Sequence, residues 1–227
     1  MDTLAERLAR IERALCDACA DAGRERSAVT LVAVSKRQPN DLFLQAYECG
    51  LRDFGENTLQ GFEARKRWAE EQGLDEIRWH FIGQIQSRKA KAIWGQVNIV
   101  HTFDRLKLIR SLSSGHLKAQ EALVQVNIGG EPQKGGVDVA LLRDFVMEAR
   151  ALGARVGGLM CIPPNDGEPQ KWFSMLRDLS QQLSAEDLLP ADPALSMGMS
   201  SDFVTAVRYG ATLVRVGSSL FGERITQ

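Results

Sequence analysis

From residue 31 onward the chain repeats one unit: a short apolar or β-branched run, then a helix-length segment, then another run. The runs cover residues 31–35, 53–55, 79–83, 99–103, 123–128, 156–162, 195–199 and 213–217. Strands separated by helices pair in parallel, because a parallel neighbour is reached only through a crossover. About eight such repeats close the sheet on itself. The expected fold is α/β: a single (β/α)8 TIM barrel formed by residues 1–227 as one domain. An extra N-terminal helix precedes it, where Leu4, Leu8, Ile11, Leu15 and Cys19 recur at helical spacing before Gly23.

Hydrophobic residues at 44% and charged residues at 25% fit an ordinary water-soluble domain. A net charge of -1 gives no general attraction to nucleic acid or to anionic lipid. No apolar stretch is long enough to cross a bilayer, and Met1-Asp2-Thr3-Leu4 lacks the basic-then-apolar pattern of a secretory signal, so a cytoplasmic location is expected. The basic cluster Arg88-Lys89-Ala90-Lys91 reads as a solvated face. Cys16 and Cys19 form a CxxC, but within a helical repeat and with no nearby histidine or second pair to complete a zinc site. They read as packing or surface thiols, and no metal is expected.

In a barrel of this kind the chemistry sits at the C-terminal ends of the strands. The first strand delivers Lys36 there, with Gln38-Pro39-Asn40-Asp41 opening a helix behind it. A lysine at the mouth of a buried strand either extends into solvent or, partly desolvated, offers an amine that captures a carbonyl as an imine. In the fifth strand Gln125 and Asn127 share one face and Val124, Val126 and Ile128 the other, so the amides face the barrel mouth. By the same alternation Arg215 points inward while Val214 and Val216 meet the helices.

Two segments suit an anion. Ser200-Ser201-Asp202 follows the seventh strand and opens a helix, and Gly217-Ser218-Ser219 follows the eighth. Loops after strands seven and eight are the usual phosphate site of this architecture. An amine, an inward arginine and a phosphate cup together describe a site for pyridoxal 5'-phosphate.

Several segments carry a resemblance: Leu31-Val32-Ala33-Val34-Ser35-Lys36, Phe54-Gly55-Glu56-Asn57, Trp79-His80-Phe81-Ile82-Gly83, Leu159-Met160, Ser196-Met197-Gly198-Met199-Ser200 and Val214-Arg215-Val216-Gly217-Ser218. In this order, from about Val29 to Gly222, the chain resembles the YggS/PROSC family of pyridoxal-phosphate homeostasis proteins. The resemblance implies a barrel similar to the N-terminal domain of alanine racemase, with Lys36 as the cofactor-binding lysine. It further implies that Ser200, Ser201, Gly217 and Ser218 hold the phosphate, that Arg215 meets the pyridine nitrogen, and that Asn57 and His80 lie near the ring.

The resemblance also implies a carrier or regulator of cofactor supply and amino-acid balance rather than an enzyme, passing pyridoxal phosphate to apo-enzymes. A racemase needs a second acid/base, supplied in alanine racemases by a tyrosine of an additional β-domain. No such domain is expected here, and Tyr47 and Tyr209 fall in helical segments. With no partner domain, a monomer is expected. Arg215, permanently charged, disfavours protonation of the pyridine nitrogen and weakens the ring as an electron sink. That argues against transaminase chemistry and leaves a weak racemase or lyase as the enzyme alternative. A third reading is an isomerase of a phosphorylated metabolite. His80 is either a ring partner or a hydrogen-bonded core residue, while His101 and His116 read as structural or exposed. Lys134, in the loop after the fifth strand, is a candidate second amine.

Overall fold

The computed structural model describes residues 2–112 and 121–222. Nine strands are found among them: β1 (Thr30–Val34), β2 (Asp53–Glu56), β3 (Arg78–Phe81), β4 (Ile99–Phe103), β5 (Glu121–Asn127), β6 (Val137–Asp138), β7 (Arg155–Cys161), β8 (Ala194–Met199) and β9 (Leu213–Val216). All pairings are parallel, and eight strands form a closed ring in the order β1, β2, β3, β4, β5, β7, β8, β9. The ring closes where Thr30 pairs with Leu213 and Ala33 with Val216. The eight expected runs are these eight strands, with ends shifted by up to two residues.

β6 is the unexpected strand. β4 pairs with β5 only as far as Val124, which leaves the upper end of β5 an open edge. Val137 and Asp138 cover it by pairing with Val126 and Asn127. Gly136, at φ +127°, makes the approach feasible, since a Cβ there would lie 2.6 Å from the Asn127 nitrogen.

The pleat divides each strand between two cores. Val124, Val126, Val214 and Val216 face outward into the layer packed under the helices. Val32, Leu123, Met160 and Leu213 face inward and fill the barrel axis. Polar residues share that inner face: Ser196, His80, His101, Gln125 and Arg215 are all buried.

Helix α1 (Leu4–Asp21) starts at a capping box, in which Glu6 N–H donates to Thr3 Oγ1 at 3.2 Å and Thr3 N–H to Glu6 Oε2 at 2.7 Å. Its buried stripe is Leu4, Leu8, Ile11, Leu15, Ala18 and Cys19, while Cys16 faces solvent. Helix α2 (Asn40–Glu48) and helix α3 (Leu59–Glu71) cover β1 to β3. Phe43 of α2 lies 4.1 Å from the Phe54 ring and 5.9 Å from that of Trp79, and this aromatic layer fixes α2 behind the rim. Among the described residues no helix is long and apolar enough to cross a membrane.

Gly158 of β7 pairs with Ala194 of β8, and a Cβ there would lie 2.0 Å from the Ala194 carbonyl oxygen. Backbone cannot yield as a side chain does, so Gly158→Ala should cost about 3 kcal/mol or more of stability, measured by urea unfolding. A loss within about 0.5 kcal/mol would mean that the ring has slack at this pair.

Candidate functional site

Lys36 is carried on a tight turn just beyond β1. Gln38 N–H donates to Ser35 O at 3.0 Å, and Arg37, the third residue of the turn, takes φ +60°. That left-handed conformation is unusual for a side chain larger than glycine, and it persists only where surrounding structure enforces it. Arg65 of α3, buried at 8% exposure, supplies the enforcement. Its guanidinium donates to Gln38 O and to Asn40 Oδ1, and stands over the Phe43 ring at 5.0 Å. Its Nε lies 3.9 Å from Glu56 Oε1, the same oxygen that accepts from Ser35 Oγ at 2.8 Å.

Glu56 and Arg65 thus brace both ends of the turn. Burial pushes the Glu56 carboxyl above its ordinary range, against the Ser35 hydrogen bond and the charges of Arg65 and Lys36. Burial lowers the Arg65 guanidinium, which Glu56 partly offsets.

A cavity of about 370 Å³ opens beside Lys36. Its lining brings together six of the eight expected site residues: Lys36, Ser200, Ser201, Arg215, Gly217 and Ser218. Arg215 lies at the closed end, 5% exposed. It donates from Nη1 to Ser196 Oγ at 2.5 Å and from Nη2 to Cys161 O at 3.0 Å. Burial lowers this guanidinium, with the Cys161 and Asp202 groups acting the other way, and among the described residues no carboxylate pairs with it. The Cys161 thiol is no substitute anion, since burial pushes it up to about 12.

At the mouth, Ser200 Oγ accepts from Gly217 N–H at 3.2 Å and from Ser219 N–H at 3.4 Å, drawing the two expected anion loops together. Asp202 does not cap the helix it precedes; its Oδ1 accepts from Met199 N–H at 2.6 Å. Gly198, at φ +90°, lets β8 turn into this loop, where a Cβ would lie 2.5 Å from that of Ala206.

Asn57 and His80 stand elsewhere. Asn57 lines an adjoining cavity of about 300 Å³ that shares Lys36 and also holds Glu56 and Arg65. His80 lies on the inner face beneath the site, its ring nitrogens within hydrogen-bond distance of His101 and Asp53. Gln125 and Asn127 do point inward, but their amides serve the following loop: Gln125 donates to Gly135 O at 2.9 Å and Asn127 to Glu131 O at 3.0 Å. Lys134 donates to Pro163 O at 3.0 Å, joining the loops after β5 and β7, and is not part of the cavity lining. His101 is fully buried, and His116 lies outside the described residues. Sequence reasoning gave no role to Ser35, Glu56 or Arg65, and it read His101 as structural or exposed, where the structure finds it buried in the interior. Arg65 had a signal: it occupies a core position of α3, in register with Phe62 and Ala69.

The family model for the N-terminal domain of alanine racemase matches residues 20–225. The chain belongs to that family. The pyridoxal phosphate homeostasis protein of Aquifex aeolicus is 39% identical over 226 residues, covering 96% of this chain and 97% of that one. That of Schizosaccharomyces pombe is 39% identical over 211 residues, with 88% and 86% covered. Among solved structures, PipY of Synechococcus elongatus with PLP bound superposes at a TM-score of 0.79, is 32% identical and is covered in full, against 97% of this chain. Alanine racemase of Corynebacterium glutamicum, at 17% identity and a TM-score of 0.65, shares the fold over 95% of this chain and 61% of its own.

The raised Glu56 carboxyl makes stability depend on pH. Folding favours its proton, so the contribution is full below the unfolded value of about 4.3 and is lost as pH climbs through the higher folded value. Glu56→Gln, which keeps an acceptor for Ser35, should flatten that decline in urea unfolding between about pH 4 and pH 7. An unchanged slope would show that Glu56 is solvated.

Proposed function

We propose that the cavity holds pyridoxal 5'-phosphate through Lys36 and that the chain works as a carrier or regulator of that cofactor's supply. The observation that carries this reading is the buried Arg215, a guanidinium without a carboxylate partner among the described residues, at the closed end of a cavity whose mouth bears an amine. Such a group calls for a ligand that brings an acceptor.

The residues present fit the cofactor. Arg215 donates to the ring nitrogen, Lys36 takes the aldehyde carbon, and Ser200, Ser201, Gly217 and Ser218 hold the phosphate. The cavity falls at the small end of the usual range for small-molecule sites, about 300–1,000 Å³. When bound, the cofactor supplies an electrophilic carbonyl carbon conjugated to an electron-withdrawing ring. The relatives named for pyridoxal phosphate homeostasis, and PipY with PLP bound, support the same ligand.

A carrier is favoured over a racemase or lyase by the side chains around Lys36. Tyr47 lies in α2 with its ring under Arg52, Tyr209 follows the helix Phe203–Arg208, and neither lines the cavity. Arg215 disfavours protonation of the ring nitrogen, which argues against transaminase chemistry and leaves the choice between carrier and racemase to the second acid/base that is missing among the described residues of the cavity. The recipients are pyridoxal-phosphate-dependent apo-enzymes, and the carrier acts as a cytoplasmic monomer.

Borohydride reduction of the protein incubated with the cofactor should add one phosphopyridoxyl group by intact mass, located at Lys36 by digestion and lost in Lys36→Ala. In deuterated buffer, amino acids should show no exchange of the α-proton above that given by free cofactor. No mass gain, or a label confined to another lysine, would overturn the binding mode; exchange that vanishes in Lys36→Ala would overturn the carrier.

A further inference from the structure

Behind Arg215 runs an unbroken line of buried hydrogen bonds across the barrel interior. Arg215 Nη1 donates to Ser196 Oγ at 2.5 Å, and that oxygen lies 2.7 Å from His101 Nδ1. His101 Nε2 is 2.9 Å from His80 Nδ1, and His80 Nε2 is 3.0 Å from Asp53 Oδ1. Asp53 accepts in turn from Arg78 Nε at 2.8 Å. The line joins β9, β8, β4, β3 and β2, and its members from Ser196 to His80 are at most 1% exposed.

The two ends dictate the direction of every bond between them. A guanidinium only donates, so Ser196 Oγ accepts from Arg215 and keeps its single proton for His101, while an ionised carboxylate only accepts, so His80 must present N–H to Asp53. His101 Nδ1 is then an acceptor, and its proton sits on Nε2, aimed at His80 Nδ1. That leaves the His80 proton on Nε2, donated to the Asp53 carboxylate. Burial, with His80 and Arg215 beside it, keeps His101 well below the ordinary histidine value and therefore neutral. Burial works against an ionised Asp53, yet the bonds from Arg78 and His80 prevail and hold it below the usual carboxylate range. Every bond donates in the same sense, from cation to anion, so the dipoles add. The reverse order is closed at the other end, because it would leave His80 Nε2 without a proton against the Asp53 carboxylate, two acceptors face to face.

We propose that Asp53, His80, His101 and Ser196 are positioning residues for Arg215, holding its guanidinium so that the donors not spent on Ser196 and Cys161 face the cavity. Asp53, four hydrogen bonds away at the start of β2, thereby helps set how tightly the site holds a ligand with an uncharged ring-nitrogen acceptor. This rests on the cofactor reading given above, and it assigns His80 a role behind the ring.

The line is tested first in ligand-free, full-length protein labelled with 15N-histidine. His80 and His101 should each carry the proton on Nε2, with Nδ1 unprotonated, and His101 should stay neutral down to well below the ordinary histidine value. A proton on Nδ1 of either ring, or titration of His101 near the ordinary histidine value, would overturn the assignment. Ser196→Ala removes one link; it should mix the tautomers of both rings and weaken pyridoxal phosphate binding about tenfold, the worth of one net hydrogen bond. Ser196→Thr, which restores the hydroxyl, should recover both readouts, as a loss of packing alone would not. If Ser196→Ala fails to fold, Asp53→Asn serves: it keeps the acceptor, removes the charge, and should weaken binding about threefold. Wild-type affinity in a folded Ser196→Ala, or in Asp53→Asn where that alone folds, overturns the proposal while the borohydride label at Lys36 still stands. Absence of that label in the unaltered protein overturns the cofactor reading instead, and the histidine tautomers then decide the line by themselves.

Discussion

A guanidinium sealed inside a barrel has to be satisfied by whatever the inner face supplies, and much of this site follows from how Arg215 is satisfied. Apolar side chains fill the axis below it, through Val32, Leu123, Met160 and Leu213. At its own level the strands offer a hydroxyl, a backbone carbonyl and, one and two steps further, two imidazoles. None of these is a carboxylate, so the cation is hydrogen-bonded without being neutralised. The nearest anion in the line, Asp53, is screened from it by four intervening bonds. Burying a charge in this way is costly, and its retention is accounted for by a ligand rather than by stability.

The amine at the mouth is held by a different device. Lys36 is next to Arg37, whose left-handed backbone is disfavoured on its own. A buried ion pair, Arg65 with Glu56, locks the turn from α3 and β2, and the aromatic layer of Phe43, Phe54 and Trp79 backs it. The two halves of the site thus have separate supports, one running through the barrel interior and one through the helix layer outside it.

The barrel was legible because its signal is repetitive: eight short runs at regular intervals leave few alternatives, and the two-residue pleat told Val214 from Arg215 and Val124 from Gln125. Lys36, Ser200, Ser201, Gly217 and Ser218 were legible as lining residues because they follow strands closely in sequence, and Arg215 because the pleat turns it inward. β6 was not, because two residues show no period and their pairing depends on where β4 ceases to cover β5. The line behind Arg215 was not either. Its members are separated by 27, 21, 95 and 19 residues, so nothing local marks them as partners, and His80 read as a residue near the ring rather than a support beneath it. Arg65 was the missed opportunity, a charged residue at a core position of an otherwise ordinary amphipathic helix.

β1 and β9 are the first and last strands of the ring, and they are neighbours. Lys36 leaves one and Gly217 leaves the other, so the pocket straddles the seam at which the closed ring was sewn shut. During synthesis the amine emerges early but has nothing to work with until the final strand arrives. A ligand filling that pocket would touch the first and the last strand of the ring at once, and would stabilise their pairing by as much as its binding favours the folded state over the unfolded one.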